Sequence, residues 1–253
     1  MSHFDAALHF CIFYLVFPLL CLWIIAHYVF GMRFKSVKLK FEAAACYYFC
    51  GFFHSRLCSK EKVLLFRSLP DLKKKLGVPS LNVLEIGIGS GQNFSLYPQG
   101  TKVTALDPNP DHEHFLRKNL ERHITFNGFI RAFGENMSQV ESESFDAVVC
   151  TLTICSVRDP DAVLKEVHRV LKQGGVFYYL EHVAGEKGSF IRSVQDWLQV
   201  IWPYFTGGCS VNRETWVYLD KSRFRDVQYR RYSANTWLAF FIRPFLYGTA
   251  AKT

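Results

Sequence analysis

An apolar run, LNVLEI at 81–86, leads straight into a glycine-rich turn, EIGIGSG at 85–91. This junction constrains the fold more than any other stretch of the chain. An apolar run of strand length without alternation belongs to a strand covered on both faces, as in a parallel sheet flanked by helices. Gly87, Gly89 and Gly91 let the backbone turn sharply and approach a ligand closely. A dinucleotide site places its third glycine one position later, where this chain has Gln92. The G-x-G-x-G spacing suits an adenosyl ligand, which has no pyrophosphate to seat on a helix N-terminus. The turn is expected to open a helical stretch, and Glu85 is placed to accept a hydrogen bond from the ligand's amino group.

Further strand patterns follow: KVTALD (102–107), a weaker run at 124–132, FDAVVC (145–150), VFYYLEH (176–182), FRDVQYRR (224–231) and PFLYGTAA (244–251). Before the fifth strand, DPDAVLKEVHRVLK sets Val163, Val167, Val170 and Leu171 on one helical face. Asp159 and Pro160 open this helix, and Gly174–Gly175 is expected to stop it. Alternating strands and helices predict an α/β domain over 80–253, with both sheet faces covered. Asp107 ends the second strand, 22 positions after Glu85. An acidic residue so placed meets ribose hydroxyls, and a carboxylate accepts from both at once.

Residues 7–30 contain no Lys, Arg, Asp or Glu. As a helix they reach about 36 Å, slightly more than a hydrocarbon core. Arg33, Lys35, Lys38 and Lys40 follow, and such positive flanks stay on the cytosolic side. Pro18 kinks a helix, so a single kinked span and a shallow re-entrant hairpin both fit. The start carries Asp5 without Lys or Arg, and no small-residue cleavage site follows, which argues against a removed signal peptide. Residues 1–40 are therefore expected to hold the chain on a membrane lipid surface, with the remainder facing the cytosol. Residues 41–79 read as an amphipathic or helical linker. Within them, 41–58 fits either an interfacial helix or one packed on the catalytic domain.

The net charge of +8 is unevenly spread. Residues 1–76 hold 11 Lys+Arg against 4 Asp+Glu, while 77–253 hold 19 against 18. The nearly neutral catalytic region lacks the basic footprint of a nucleic-acid partner, and the basic excess beside the apolar run suits an anionic membrane face. The 8 cysteines form no CxxC pair and no zinc spacing. No metal site is expected, and Cys155 and Cys209 read as small packing residues. The aromatic clusters at 197–205 and 237–248 fit core packing or an apolar substrate mouth.

Taken together, VLEIGIGSGQN, LDPNP, GEN at 134–136, FDAVVCTLTICSV at 145–157 and VLKEVHRVLKQGGVFYYLEHV at 163–183 resemble class I methyltransferases. With GGCSVNRETW at 207–216 and the apolar N-terminus, the chain is more closely similar to small membrane-anchored thiol S-methyltransferases, over about 80–253. The resemblance implies a Rossmann-like, mostly parallel seven-stranded sheet with a reversed last hairpin, plus the membrane helix or hairpin. It also implies S-adenosyl-L-methionine as cofactor, a small lipophilic thiol as substrate, and residence on endoplasmic reticulum or lipid-droplet membrane. Carried onto this chain, it gives a cofactor loop of Glu85, Gly87, Gly89 and Gly91, and a ribose contact at Asp107 with Pro108 and Asn109. Glu135 and Asn136 lie near the adenine, and Thr151 and Leu152 border the methionine end. Ile88 and Gln173 depart from the family's common residues without removing a cofactor contact. A thiol reacts as its thiolate, and the transfer itself needs no metal. His182, at the strand edge where open α/β sites form, is the candidate base, although strand-end hydrogen bonding accounts for it equally well. Two other readings remain: O- or C-methylation of a membrane lipid or quinone, and a non-enzymatic lipid-surface protein.

Overall fold

Each strand pattern read between 81 and 251 becomes a strand in the computed structural model, which describes residues 35–50, 57–235 and 240–253. The strands are β1 (Asn82–Ile86), β2 (Lys102–Leu106), β3 (Thr125–Ile130), β4 (Phe145–Thr151), β5 (Leu171–His182), β6 (Arg225–Ser233) and β7 (Pro244–Ala251). They form one seven-stranded sheet in the order β3-β2-β1-β4-β5-β7-β6. β1 to β5 run parallel, and β7 runs antiparallel to both β5 and β6. This is the Rossmann-like, mostly parallel seven-stranded sheet with a reversed last hairpin that the resemblance implies. All of β4 is buried, whereas β6 at the sheet edge has no buried residue.

Successive side chains of a strand point to opposite faces, so the sheet separates two cores. Leu84, Ile86, Val148, Cys150 and Phe177 face one of them, together with Val163, Val167 and Val170 of a helix at Pro160–Val170. Val83, Ala147, Val149, Tyr178 and Leu180 face the other. That second core is closed by Leu65 and Phe66 of α2 (Ser59–Phe66) and by Leu69 and Leu72 of α3 (Leu69–Leu76). A helix at Lys35–Ala45, α1, precedes them. The chain divides into units Met1–Phe41 and Glu42–Thr253. The apolar run 7–30 lies outside the described residues, among which no helix is long and apolar enough to cross a membrane.

Two local expectations are corrected. The stretch after the glycine turn forms only a 3-10 turn, Phe94–Leu96, not a helix. Pro98 lacks an N–H, its carbonyl accepts from Thr101 N–H at 3.2 Å, and the chain passes at once into β2. Gly174–Gly175, likewise, does not stop the helix at Pro160–Val170. That helix, which follows α4 (His112–Leu116) and is α5, ends at Val170. Glu143 and Ser144 N–H groups take the Arg169 and Val170 carbonyls at 3.0 and 2.9 Å. Buried Leu171 then starts β5, and Gly174, at φ 75°, turns within that strand. The start of α5 agrees with expectation: Asp159 accepts from Ala162 N–H at 3.1 Å.

The aromatic clusters part company. Phe245 and Leu246 are buried in the sheet. Phe190 and Trp197 of α6 (Phe190–Leu198), Val200, Ile201, and Tyr204 of α7 (Trp202–Phe205) are exposed.

Candidate active site

Because β1 to β5 are parallel, the segments leaving their C-terminal ends share one edge of the sheet. The strand order reverses between β1 and β4, and open α/β sheets bind ligands in the crevice at such a point. The four sequence-derived segments 85–91, 107–109, 135–136 and 151–152, and His182, follow or end these strands on this edge.

The first segment is the glycine turn. Gly87, Gly89 and Gly91 have φ of 66°, 51° and 76°, the left-handed region that side chains with a Cβ avoid. Space demands glycine as well. A Cβ on Gly87 runs into the Thr153 side chain, and one on Gly89 comes within 3.1 Å of Cys46 Sγ. Cys46 belongs to a short π-helical turn, Cys46–Cys50, whose Tyr47 stacks on Phe115 at 5.0 Å. The described part of the 41–58 stretch thus packs on the domain beside the glycine turn.

Asp107 is buried at the end of β2. Its Oδ2 accepts from Gly89 N–H at 3.2 Å and its Oδ1 from Asn109 N–H at 2.9 Å. Asn109 Oδ1 in turn accepts from Asp111 N–H at 3.0 Å, and His112 Nδ1 lies 3.0 Å from Asp107 Oδ2. One carboxylate therefore joins the first two segments. Pro108 is exposed.

Glu85 lies below the turn in a buried polar network. Tyr97 OH donates to it at 2.6 Å and Asn93 Nδ2 at 2.8 Å. Asn93 also donates to Thr151 Oγ1 at 3.0 Å and accepts from Lys62 Nζ at 2.8 Å. Burial pushes the Glu85 carboxyl up to about 7 against these hydrogen bonds, and burial holds Lys62 below its ordinary value. The network links the cofactor-loop candidate Glu85 to the methionine-end candidate Thr151.

Glu135 and Asn136 follow β3. Glu135 accepts from Arg158 N–H at 2.8 Å, and Asn136, exposed, accepts from Ser138 N–H at 3.2 Å. After β4, Leu152 has a φ of 55°, a strained value for a branched side chain. Its N–H is tied to Leu180 O at 2.8 Å. Glu181 then accepts from the N–H groups of Thr153 and Ile154 at 2.9 Å and of Cys155 at 3.2 Å. Burial raises Glu181 to about 6 despite these donors.

His182 is buried, and its Nε2 lies 2.9 Å from Cys209 Sγ. Trp202 Nε1–H also points to that sulfur, at 3.4 Å. A hydrogen bond from Cys155 and the charge of His182 hold the Cys209 thiol well below its ordinary range, and Cys155 is pushed up. Burial opposes the charged form of His182 most strongly, but the Cys209 charge, the Cys209 hydrogen bond and the Glu181 charge together raise the ring. Cys155 and Cys209 are buried, as packing residues are, yet both are polar partners. Lys62, Asn93, Tyr97 and Glu181 carry no signal in the sequence, and the two sulfurs read there only as packing groups, because their partners come from distant segments.

The edge fits an adenosyl ligand: three glycines in the left-handed region turn the backbone at the end of β1, and the buried Asp107 carboxylate stands beside them. Residues 84–179 match the family described as a methyltransferase domain. The chain is 41% identical over 202 residues to thiol S-methyltransferase TMT1B of Mus musculus, spanning 79% of this chain and 81% of that protein. It is 40% identical over 203 residues to thiol S-methyltransferase TMT1A of Homo sapiens, with the same shares. Among solved structures, a SAM-dependent methyltransferase from Thermotoga maritima aligns with a TM-score of 0.52 at 20% identity, over 84% of this chain and 100% of that one. One from Methanosarcina mazei aligns with a TM-score of 0.54 at 20% identity, over 69% and 94%. These two likenesses concern the fold.

Proposed function

Because the chain belongs to the thiol S-methyltransferase family of S-adenosylmethionine-dependent enzymes, we propose that it methylates the sulfur of small lipophilic thiols at a membrane surface. The observation that carries this reading is the 41% identity over 202 residues to a thiol S-methyltransferase. When bound, S-adenosylmethionine supplies a methyl group made electrophilic by its sulfonium. The chain's own task is to bring that methyl and a sulfur nucleophile together, which lowers the barrier through effective molarity. Gly87, Gly89 and Gly91 are the proposed backbone cradle, and Asp107, with Pro108 and Asn109 beside it, the proposed acceptor for ribose hydroxyls. Glu135 and Asn136 are assigned to the adenine end. Glu85, Thr151 and Leu152 are assigned to the methionine end. His182 is the group proposed to favour the ionised acceptor sulfur, since the thiolate is the reactive form.

Residues 1–40 are the proposed membrane anchor, on endoplasmic reticulum or lipid droplet, with 80–253 as the catalytic domain facing the cytosol. The uncharged run at 7–30 and the basic residues after it support this. An anchored site meets lipophilic thiols at raised local concentration. Incubating purified protein with labelled S-adenosylmethionine and a panel of thiols, phenols and quinols tests the substrate. Label on small apolar thiols is expected. Label on a quinol or phenol but on no thiol overturns the reading in favour of a lipid acceptor.

A further inference from the structure

Three side chains that share no sequence motif meet at the site's edge. Cys155 lies in the turn after β4, His182 at the end of β5, and Cys209 in the loop before α8 (Thr215–Lys221). One donor atom from each lies within 4.8 Å of the others, and all three residues are buried. Among the described residues, no fourth His, Cys, Asp or Glu completes the group. His182 Nε2 is 2.9 Å from Cys209 Sγ, and its buried Nδ1 has no hydrogen-bond partner.

The surrounding protein fixes this arrangement. Ser210 N–H donates to Cys155 O at 2.7 Å, joining the two cysteine-bearing segments. Glu181 Oε2 takes the Cys155 N–H at 3.2 Å, and Trp202 Nε1 donates to Cys209 Sγ at 3.4 Å. Glu181 spends its oxygens on backbone N–H groups, which leaves two sulfurs and an imidazole as the donor set. Such a set selects a thiophilic metal such as zinc and disfavours magnesium or calcium, which take oxygen ligands. Structural zinc sites are closed by four protein ligands, whereas three-ligand sites keep an exchangeable position.

We infer that Cys155, His182 and Cys209 bind a zinc-class divalent cation whose fourth position takes the acceptor thiol as its thiolate. The second half of this inference rests on the thiol reading above. Cation binding displaces protons from the cysteine sulfurs. The acceptor thiol, on coordinating, gives its proton to solvent, since a metal-coordinated thiol is deprotonated. A sulfur lone pair then forms the new S–CH3 bond as the sulfonium–methyl bond breaks, and the released pair stays on the departing thioether. The cation's oxidation state does not change. His182 thus favours the thiolate as a ligand, through the cation.

The test is cobalt(II) titration of the full chain, purified in detergent with a phosphine reductant and stripped by a chelator. One cobalt per chain is expected, with thiolate-to-cobalt charge-transfer absorption and the visible bands of four-coordinate cobalt. C155S and C209S should each lose most of the charge-transfer intensity while keeping the circular dichroism of the parent. Adding a small apolar thiol should shift the visible bands. Absence of charge-transfer absorption in the parent chain overturns the cation site whatever the variants do, and so does full intensity in either variant. A cobalt spectrum unmoved by saturating thiol, or full-rate thiol methylation by stripped protein, overturns the fourth-position assignment while the proposed function stands. Intact bands without methylation of any thiol, stripped or loaded, sink the thiol reading and leave the cation site in place.

Discussion

Asp107 holds Gly89 and Asn109 in place through its two oxygens, so it shapes the proposed cofactor loop as well as offering an acceptor. Replacing it with Ala removes a charged hydrogen-bond acceptor worth about 1.5–3 kcal/mol. Affinity for S-adenosylhomocysteine is expected to fall about ten- to a hundredfold, and calorimetric titration reads this directly. Unchanged affinity removes Asp107 from the site. Glu85 makes a different kind of prediction. Its carboxyl is raised from 4.5 to about 7, chiefly by burial. Between those values the unfolded chain has released this proton and the folded chain still holds it. Folded stability from this group is therefore full at the acid end, declines as pH rises through that window, and levels off above it. The slope it adds is at most about 1.4 kcal/mol per pH unit. Urea midpoints from pH 5 to 7.5 should fall less steeply in E85Q than in the parent; equal slopes exclude Glu85 as the titrating group. The positions of Glu85, the glycines and Asp107 were legible because the backbone itself demands them, at fixed spacing. Lys62, Asn93 and Tyr97 were not, because no local rule relates Lys62 to a side chain 31 positions on. His182 was legible singly as a candidate base, but its grouping with Cys155 and Cys209 was not, because tertiary contact, not spacing, makes them a group.

At the level of elements, β1, β2, β4 and β5 were legible as apolar runs, and burial of β1 and β4 on both faces explains why. The end of α5 was not. Glycines punctuate helices when nothing else takes the last carbonyls, and here Glu143 and Ser144 take them first. The turn after β4 shows a similar tertiary influence. Leu152 sits at φ 55°, a conformation costing about 1–3 kcal/mol, and three N–H donors behind it converge on the Glu181 carboxylate. E181Q replaces one accepting oxygen with an amide that faces donors. A stability loss of about 1.5–3 kcal/mol is expected, seen as a lower urea midpoint. Amide hydrogen exchange should quicken at 153–155 while the β2–β3 pairing keeps its protection. Unchanged protection at 153–155 means the turn is held by its own backbone bonds.

For the whole molecule, charge and apolar surface decide membrane residence more than any one site does. The basic excess lies in residues 1–76, and 77–253 is close to neutral. Attraction to an anionic surface therefore adds to the apolar run instead of spreading over the catalytic domain. Glu42–Thr253 forms its own unit, so deletion of 1–40 is expected to leave a cooperatively melting domain. Fractionation at high pH, which removes peripheral proteins, should move the truncated chain from the membrane pellet to the supernatant. One feature competes with this expectation. Phe190, Trp197, Val200, Ile201 and Tyr204 expose aromatic and branched side chains along α6 and α7, and Phe190 stacks on Phe240 at 6.0 Å. Trp and Tyr favour the membrane interface because one end of each is apolar and the other polar. If the truncated chain stays in the pellet, this face is the anchor, and Ser at positions 190, 197 and 204 should release it. A truncated chain that pellets with those changes as well is held by neither element, which defeats the proposed anchor outright.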